Sequence, residues 1–246
     1  VPTSWTTTHT LRVRAPATAT DLEAVAAPTS RLRVDPGYRP LGLPTSFTLS
    51  GYRWNPCETI DYRVRARRLP AGALPEVKQA LRQVSRATGL RFRYRGTSRQ
   101  VPWRGGKASA VRRADLLIGW ATEREVPGLR GNVAGVGGPS RGVWSQVPGQ
   151  TLIEDGMVAL DVAAHAASGF GAGWTRGELL LHEIGHAVGL GHFFADADQI
   201  MAYATRDRDR FGAGDLAGLR LVGRSAGCLT AKEWGRTRPL ILEPLA

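Results

Sequence analysis

Cysteine is scarce in this 246-residue chain. There are two, Cys57 and Cys228, with neither C-x-x-C spacing nor a histidine nearby. That excludes the usual thiolate zinc sites and paired-thiol redox motifs. Long apolar runs are missing as well. None approaches the eighteen or so residues of a membrane-spanning helix, so no transmembrane segment is expected. No signal peptide opens at Val1, which leaves a cytosolic chain or one that begins after a removed leader. A compact basic block is also absent, although the formal net charge is +12. The arginines are scattered and alternate with apolar residues, as in "RFRYR", and no nucleic-acid motif accompanies them. The charge therefore reads as a general surface property. It favours adsorption to anionic surface polymers or acidic substrates rather than specific nucleic-acid binding.

What is present is enough for a full core: 42% hydrophobic residues and seven Trp in a chain of domain length. Residues 1–50 differ from the rest. They are rich in Thr, Ala and Pro and lack a sustained apolar period, so a low-complexity, flexible extension or stalk is expected there, with His9 solvated within it. The ordered domain is expected over 51–246, as a monomer.

Within it, Ile60, Tyr62 and Val64 alternate with polar residues, the pattern of a half-buried strand. Leu74, Val77, Leu81 and Val84 share one helical face, and Gly89 suits the helix end. "LRFRYRG" alternates as a second strand, and "ADLLIGWA" is apolar enough for a central one. "GNVAGVGGPS", Gly-rich and closed by Pro139, fits an edge strand whose backbone something approaches closely. "GMVALDVA" makes a fifth strand. The expected fold class is α+β (α/β): a twisted, mixed five-stranded sheet with helices packed on it.

Five histidines occur in the chain, and three fall in "HEIGHAVGLGH", His182 to His192. Thr175 precedes this stretch as an N-cap, with Glu178 three residues later, a capping box. On a helix His182 and His186 lie one turn apart on one face and can converge on one ion. Glu183 is rotated by about 100°, flanking the ion without having to ligate it. Gly189 can take positive φ and end the helix, letting His192 return as the third ligand. Three imidazoles with one open position suit a catalytic zinc. The chemistry expected is peptide hydrolysis, with Glu183 as general base. By chance, three histidines at these offsets arise about once per 10⁵ starting points, and requiring the Glu and Gly makes it rarer. His165, in "DVAAHAASG", reads as a loop histidine.

These residues resemble the signature HExxHxxGxxH of the metzincin zinc peptidases, matched by His182, Glu183, His186, Gly189 and His192. Met201 in "QIMAYA" is similarly placed to the methionine of their tight turn beneath the ligands. Flanking stretches resemble the matrixin branch, in the bacterial form without a hemopexin-like domain. "NVAGVGGP" corresponds to the edge strand along which substrate aligns antiparallel, and "GDLAGLRLVG" to the C-terminal helix. The resemblance covers about residues 50–229. It implies a metzincin-like zincin fold with an active-site helix and a small C-terminal subdomain. It also implies a protein or peptide substrate and secretion or display at the cell surface.

Departures are visible. Phe193 stands where matrixins have Ser. No cysteine-switch motif occurs. Ala159 replaces a strand histidine of the structural zinc site, so a single zinc is expected, and no dense acidic loop supports the possible calcium. Tyr203 is two residues after Met201, as in astacins, where it can approach the metal. Here it is a candidate for oxyanion stabilisation or for the pocket wall formed by Ala202 to Thr205. Two alternatives stay open for the cysteines: buried free thiols, or a disulfide worth up to about 5 kcal/mol in an oxidising compartment. As the one pair flanking the inferred domain, they are expected to be bonded. The rival functions are an inactive zinc-binding surface or adhesion module of the same fold, and a cytosolic aminopeptidase-like enzyme.

Overall fold

Each apolar period in the sequence has become an element. The computed structural model describes residues 47–143, 151–193, 198–202 and 207–229, with 9–10 and 239–241 described as backbone. The strands in chain order are β1 His9–Thr10, β2 Thr48–Leu49, β3 Tyr52–Arg53, β4 Thr59–Arg65, β5 Arg91–Ser98, β6 Leu116–Ala121, β7 Gly135–Val143, β8 Thr151–Asp161, β9 Leu190–Gly191 and β10 Pro239–Ile241. The helices are α1 Ala73–Thr88, α2 Arg176–Val188 and α3 Ala213–Val222.

The class is mixed α/β with a mostly parallel sheet. Its order is β10-β7-β8-β6-β4-β5, with β3 added beside β8. Strands β4, β5, β6 and β8 run parallel, whereas β7 is antiparallel to β8 and β10 antiparallel to β7. Five strands were expected in the sheet, and among the described residues seven belong to it. The two additions, β3 and β10, are two and three residues long, too short to show a period.

Helices α1 and α2 cover one face, and α3 packs against them and β9. Val77, Leu81 and Val84 meet Ile60, Tyr62, Ile118, Val158, Leu180 and Ile184 in the main core. Leu74 is only partly buried. A second core lies on the opposite face, where Val101, Trp103 and Val111 pack on Leu117, Ala121, Met157 and Ala159. Burial on both faces accounts for the unbroken apolar run of β6. Ala159 sits in that apolar cluster rather than at a polar site.

Two boundaries shift. Phe47, Thr48 and Ser50 are buried, and β2 pairs with both β1 and β9, so the packed region begins by residue 47 rather than at 51. Nor does β7 end at Pro139: it continues to Val143 through two register shifts, on either side of Arg141. At an edge, a proline whose missing amide points outward costs no ladder bond.

Cys57 and Cys228 form a disulfide, 171 residues apart in sequence, with Cα atoms 5.4 Å apart. Both half-cystines are exposed, which replaces the alternative of buried thiols. Among the described residues no helix is long and apolar enough to cross a membrane.

Candidate metal centre

Helix α2 starts where its cap chemistry says it should. Thr175 has extended backbone, and its hydroxyl accepts from the Glu178 amide at 3.2 Å. Arg176 then ties the first turn to α1 through a two-pronged pair with Glu76, at 2.8 and 2.9 Å. Glu76 also accepts from the Gly169 amide at 2.6 Å, so the preceding loop and the helix share one anchor.

The helix ends at Gly189, with φ 116°. A side chain there would also collide with the Tyr52 carbonyl, so glycine is required twice over. The chain turns into β9, which pairs with β2, and the Ser50 amide donates to the Gly189 carbonyl at 2.8 Å. Phe193 donates to the Met201 carbonyl, also at 2.8 Å. His192 lies between these two attachments and is carried back over the helix.

The three expected ligands meet. The Nε2 atoms of His182, His186 and His192 form a triangle with sides of 3.0, 3.2 and 3.2 Å. Tetrahedral zinc with Zn–N bonds of about 2.0–2.1 Å needs nitrogens about 3.3 Å apart, so the triangle has the right size. Among the described residues it is the one group of three or more His, Cys, Asp or Glu drawn together tightly enough to hold a metal ion.

The tautomers suit this use. His182 Nδ1 faces the Ile200 carbonyl at 2.6 Å, and His186 Nδ1 faces the Leu190 carbonyl at 2.9 Å. Each Nδ1–H donates to its carbonyl, leaving Nε2 bare to ligate. Burial disfavours imidazolium and lowers His182 and His192 to about 4, with His186 also well below its usual value. The ligands are thus neutral donors at ordinary pH.

Glu183 stands beside them, 5% exposed. Burial pushes its carboxyl well above the usual range. Among the described residues its Oε2 has no hydrogen-bond partner. An unsatisfied buried carboxylate oxygen costs stability, as expected of a group kept available for chemistry.

Strand β7 lies directly over this carboxylate. A Cβ on Gly135 would stand 2.6 Å from Glu183 Oε1, and one on Gly137 would run into the Glu183 carbonyl. The close approach expected of the Gly-rich strand is therefore made by α2.

Met201 is buried beneath the ligands, its sulfur 2.5 Å from where a Cβ on Gly185 would stand. The turn it occupies is held by Asp215 of α3, which accepts from the amides of Ile200 (2.7 Å), Met201 (3.2 Å) and Gly212 (2.9 Å). Since the Ile200 carbonyl holds His182, Asp215 positions that histidine through the backbone. Asp215 and Glu76 had not been singled out from the sequence. An acidic residue in the first turn of each helix was the available signal, and it reads equally well as ordinary capping.

Tyr203 and the segment to Thr205 lie outside the described residues; Ala202 is buried. His165 is exposed in its loop. Comparison with protein-family models and with curated proteins finds no match for this chain.

Proposed function

We propose that the chain is a zinc-dependent endopeptidase with a metzincin-like, matrixin-type fold, acting outside the cell or at its surface. The observation that carries this reading is the pairing of a histidine triangle that could hold a metal with a buried carboxyl group whose Oε2 has no hydrogen-bond partner among the described residues. The disulfide supports an oxidising compartment.

The donor set fits zinc: three neutral imidazoles of tetrahedral spacing, two with their second nitrogens held by carbonyls. Zinc held there would supply Lewis acidity, polarising a carbonyl and making water easier to deprotonate. Glu183 takes the proton of the attacking water at its free oxygen and returns it to the leaving amine. Helix α2 is fixed at both ends, so the carboxylate need not be repositioned during reaction. The outer edge of β7 provides backbone groups for a peptide in extended form.

Cleavage of a diverse peptide library, with and without a chelator, tests the proposal. Internal peptide bonds should be cut, cutting should stop on chelation, and one equivalent of zinc should restore it. Zinc-loaded protein that cuts no peptide would leave the inactive binding module as the better reading.

A further inference from the structure

The positive charge of the chain is not spread evenly over its folded surface. Residues 99–114 lie between β5 and β6 and carry Arg99, Arg104, Lys107, Arg112 and Arg113, with no acidic residue among them. All five cations are exposed, whereas Val101, Trp103 and Val111 are buried in the second core. The segment is thus a strap, held down by apolar side chains and covered by cations. Gln100 staples its two limbs: its side-chain amide donates to the Ala110 carbonyl at 2.8 Å and accepts from the Arg112 amide at 2.9 Å. Arg99 and Arg112 flank this staple, with Arg113 next in line. Arg104 and Lys107 lie at the tip, where the Gly105 amide donates to the Glu125 carbonyl at 2.8 Å.

Like charges gathered on one segment repel, and the structure supplies little to offset them. None of the five side chains makes an ion pair among the described residues. The carboxylates around the strap are engaged elsewhere. Glu125 pairs with Arg65 and Arg68, Glu154 and Asp155 with Arg141, and Asp115 accepts the Asp61 amide at 2.7 Å. Glu123, in the loop beside the tip, is matched in number by Arg124. The adjoining strip of β5 adds to the surplus. Arg91, Arg93 and Arg95 alternate with Phe92 and Tyr94, which pack on the main core, so these arginines face the strap's side of the sheet. Arg93 and Arg95 share one carboxylate, Asp61, at 2.7 and 3.3 Å.

We infer that the strap and the adjoining arginines of β5 form a docking surface for a linear polyuronate, an acidic polysaccharide with carboxylates along its length. The cations are spread over two limbs, a tip and a strand and do not converge on a pocket, which suits a repeating anion rather than a single one. Four of the five strap cations are arginines, whose forked donors match carboxylates two at a time. Other polyanions fit less well. A nucleic-acid single strand needs exposed aromatic rings to stack on. The strap's one aromatic, Trp103, is fully buried, with its Nε1 donating to the Met157 carbonyl at 3.0 Å. A double helix is read by a helix or a two-stranded ribbon in its groove, and the strap is neither. A membrane surface takes up apolar side chains beneath its headgroups, and those of the strap are turned inward. The surface also lies on the far face of the sheet from the histidine triangle. On β7, Val136 packs in the second core while Gly137 meets α2. A polymer held by the strap leaves the triangle uncovered.

Binding of alginate, a linear polyuronate, at several salt concentrations provides the test, with two variants of equal net charge. One combines Arg104→Gln, Lys107→Gln, Arg112→Gln and Arg113→Gln. The other combines Arg82→Gln, Arg86→Gln, Arg220→Gln and Arg224→Gln, all exposed on or next to α1 and α3. The strap variant should bind about tenfold or more weakly, and its slope of log affinity against log salt should shrink by about three to four. The helix-side variant should lose less than about threefold. Equal losses would mean that net charge alone attracts the polymer and would overturn the inference. Acetylation of lysines in the parent chain gives a reading that needs no variant. Bound alginate should slow reaction at Lys107 and leave Lys78, which lies over the Tyr94 ring on the helix side, unchanged. No slowing at Lys107, or equal slowing at both, refutes the surface. A DNA duplex or anionic phospholipid vesicles binding more tightly than alginate at equal charge would refute the choice of partner. None of these readings uses turnover, so the docking surface and the peptidase reading stand or fall separately.

Discussion

The two walls of the candidate site are made in opposite ways. Helix α2 brings side chains: two of the three clustered histidines, Glu183 and, at its cap, Thr175, all buried. Strand β7 brings almost none: its Gly135 and Gly137 leave backbone alone against Glu183. On the proposed peptidase reading, the difference divides the labour of one cleft. Groups that must hold a metal or a proton need fixed side chains of set chemistry. A surface that must receive any extended chain is better built of peptide groups, which every partner can match.

Breaking the helix side should cost most. His186→Ala removes one of three ligands and should abolish stoichiometric zinc binding together with activity, as measured by metal analysis and a peptidase assay. Unchanged zinc content would sink the ligand assignment. Glu183→Ala should keep the zinc and the fold but lose at least about 10²-fold in turnover; near-normal turnover would show that another group is the base. One step removed, Asp215→Ala leaves the amides of Ile200, Met201 and Gly212 without their shared acceptor. A loss of about 2–4 kcal/mol is expected, along with weaker zinc binding because the carbonyl that fixes His182 loosens. A chelator titration beside chemical denaturation separates the two effects.

On the strand side the expected effects are smaller and differ by position. Gly137→Ala meets the backbone of α2 and should destabilise the fold by about 1–3 kcal/mol. Gly135→Ala meets the Glu183 side chain, which can swing. It should lower turnover while sparing more of the stability. Equal losses of stability in both would show that the strand and helix do not touch as described.

Least affected should be the anchor of β7 to its neighbour. Asp155 of β8 pairs with Arg141 of β7, yet burial outweighs the pairing and raises its carboxyl to about 6. The folded state thus holds this proton more tightly than the unfolded chain. The contribution to stability is full below the ordinary value near 4 and is lost as pH rises through about 6. Asp155→Asn imitates the protonated form. Its melting temperature should gain on the parent as pH rises from 4 to 6, with little change in activity. A gap that narrows with rising pH would mean that the ion pair stabilises after all.

How legible each wall was follows the same division. Thr175, His182, Glu183, His186 and Gly189 could be placed from the sequence because a helix relates residues three and four apart by its own geometry. The strand could be recognised as Gly-rich and close-approached, but not what approached it. The turn at Met201 was suggested by resemblance, whereas its anchor Asp215 was not, since a carboxylate bonding three amides across a turn leaves no periodic trace. Tyr203, given a possible role from its spacing, lies outside the described residues.

By itself the sequence determined the local chemistry: which nitrogens could face one ion, where the helix begins and where it must end. Helical repeat and cap geometry act within a few residues and are written in their spacing. Only the tertiary structure decided how His192 returns, with β2 as partner to β9. It alone brought Cys57 within bonding distance of Cys228 and laid β10 on the open edge of β7. Those pairings join residues on the order of a hundred or more positions apart. They are fixed by which surfaces must be buried together, and spacing along the chain does not encode them.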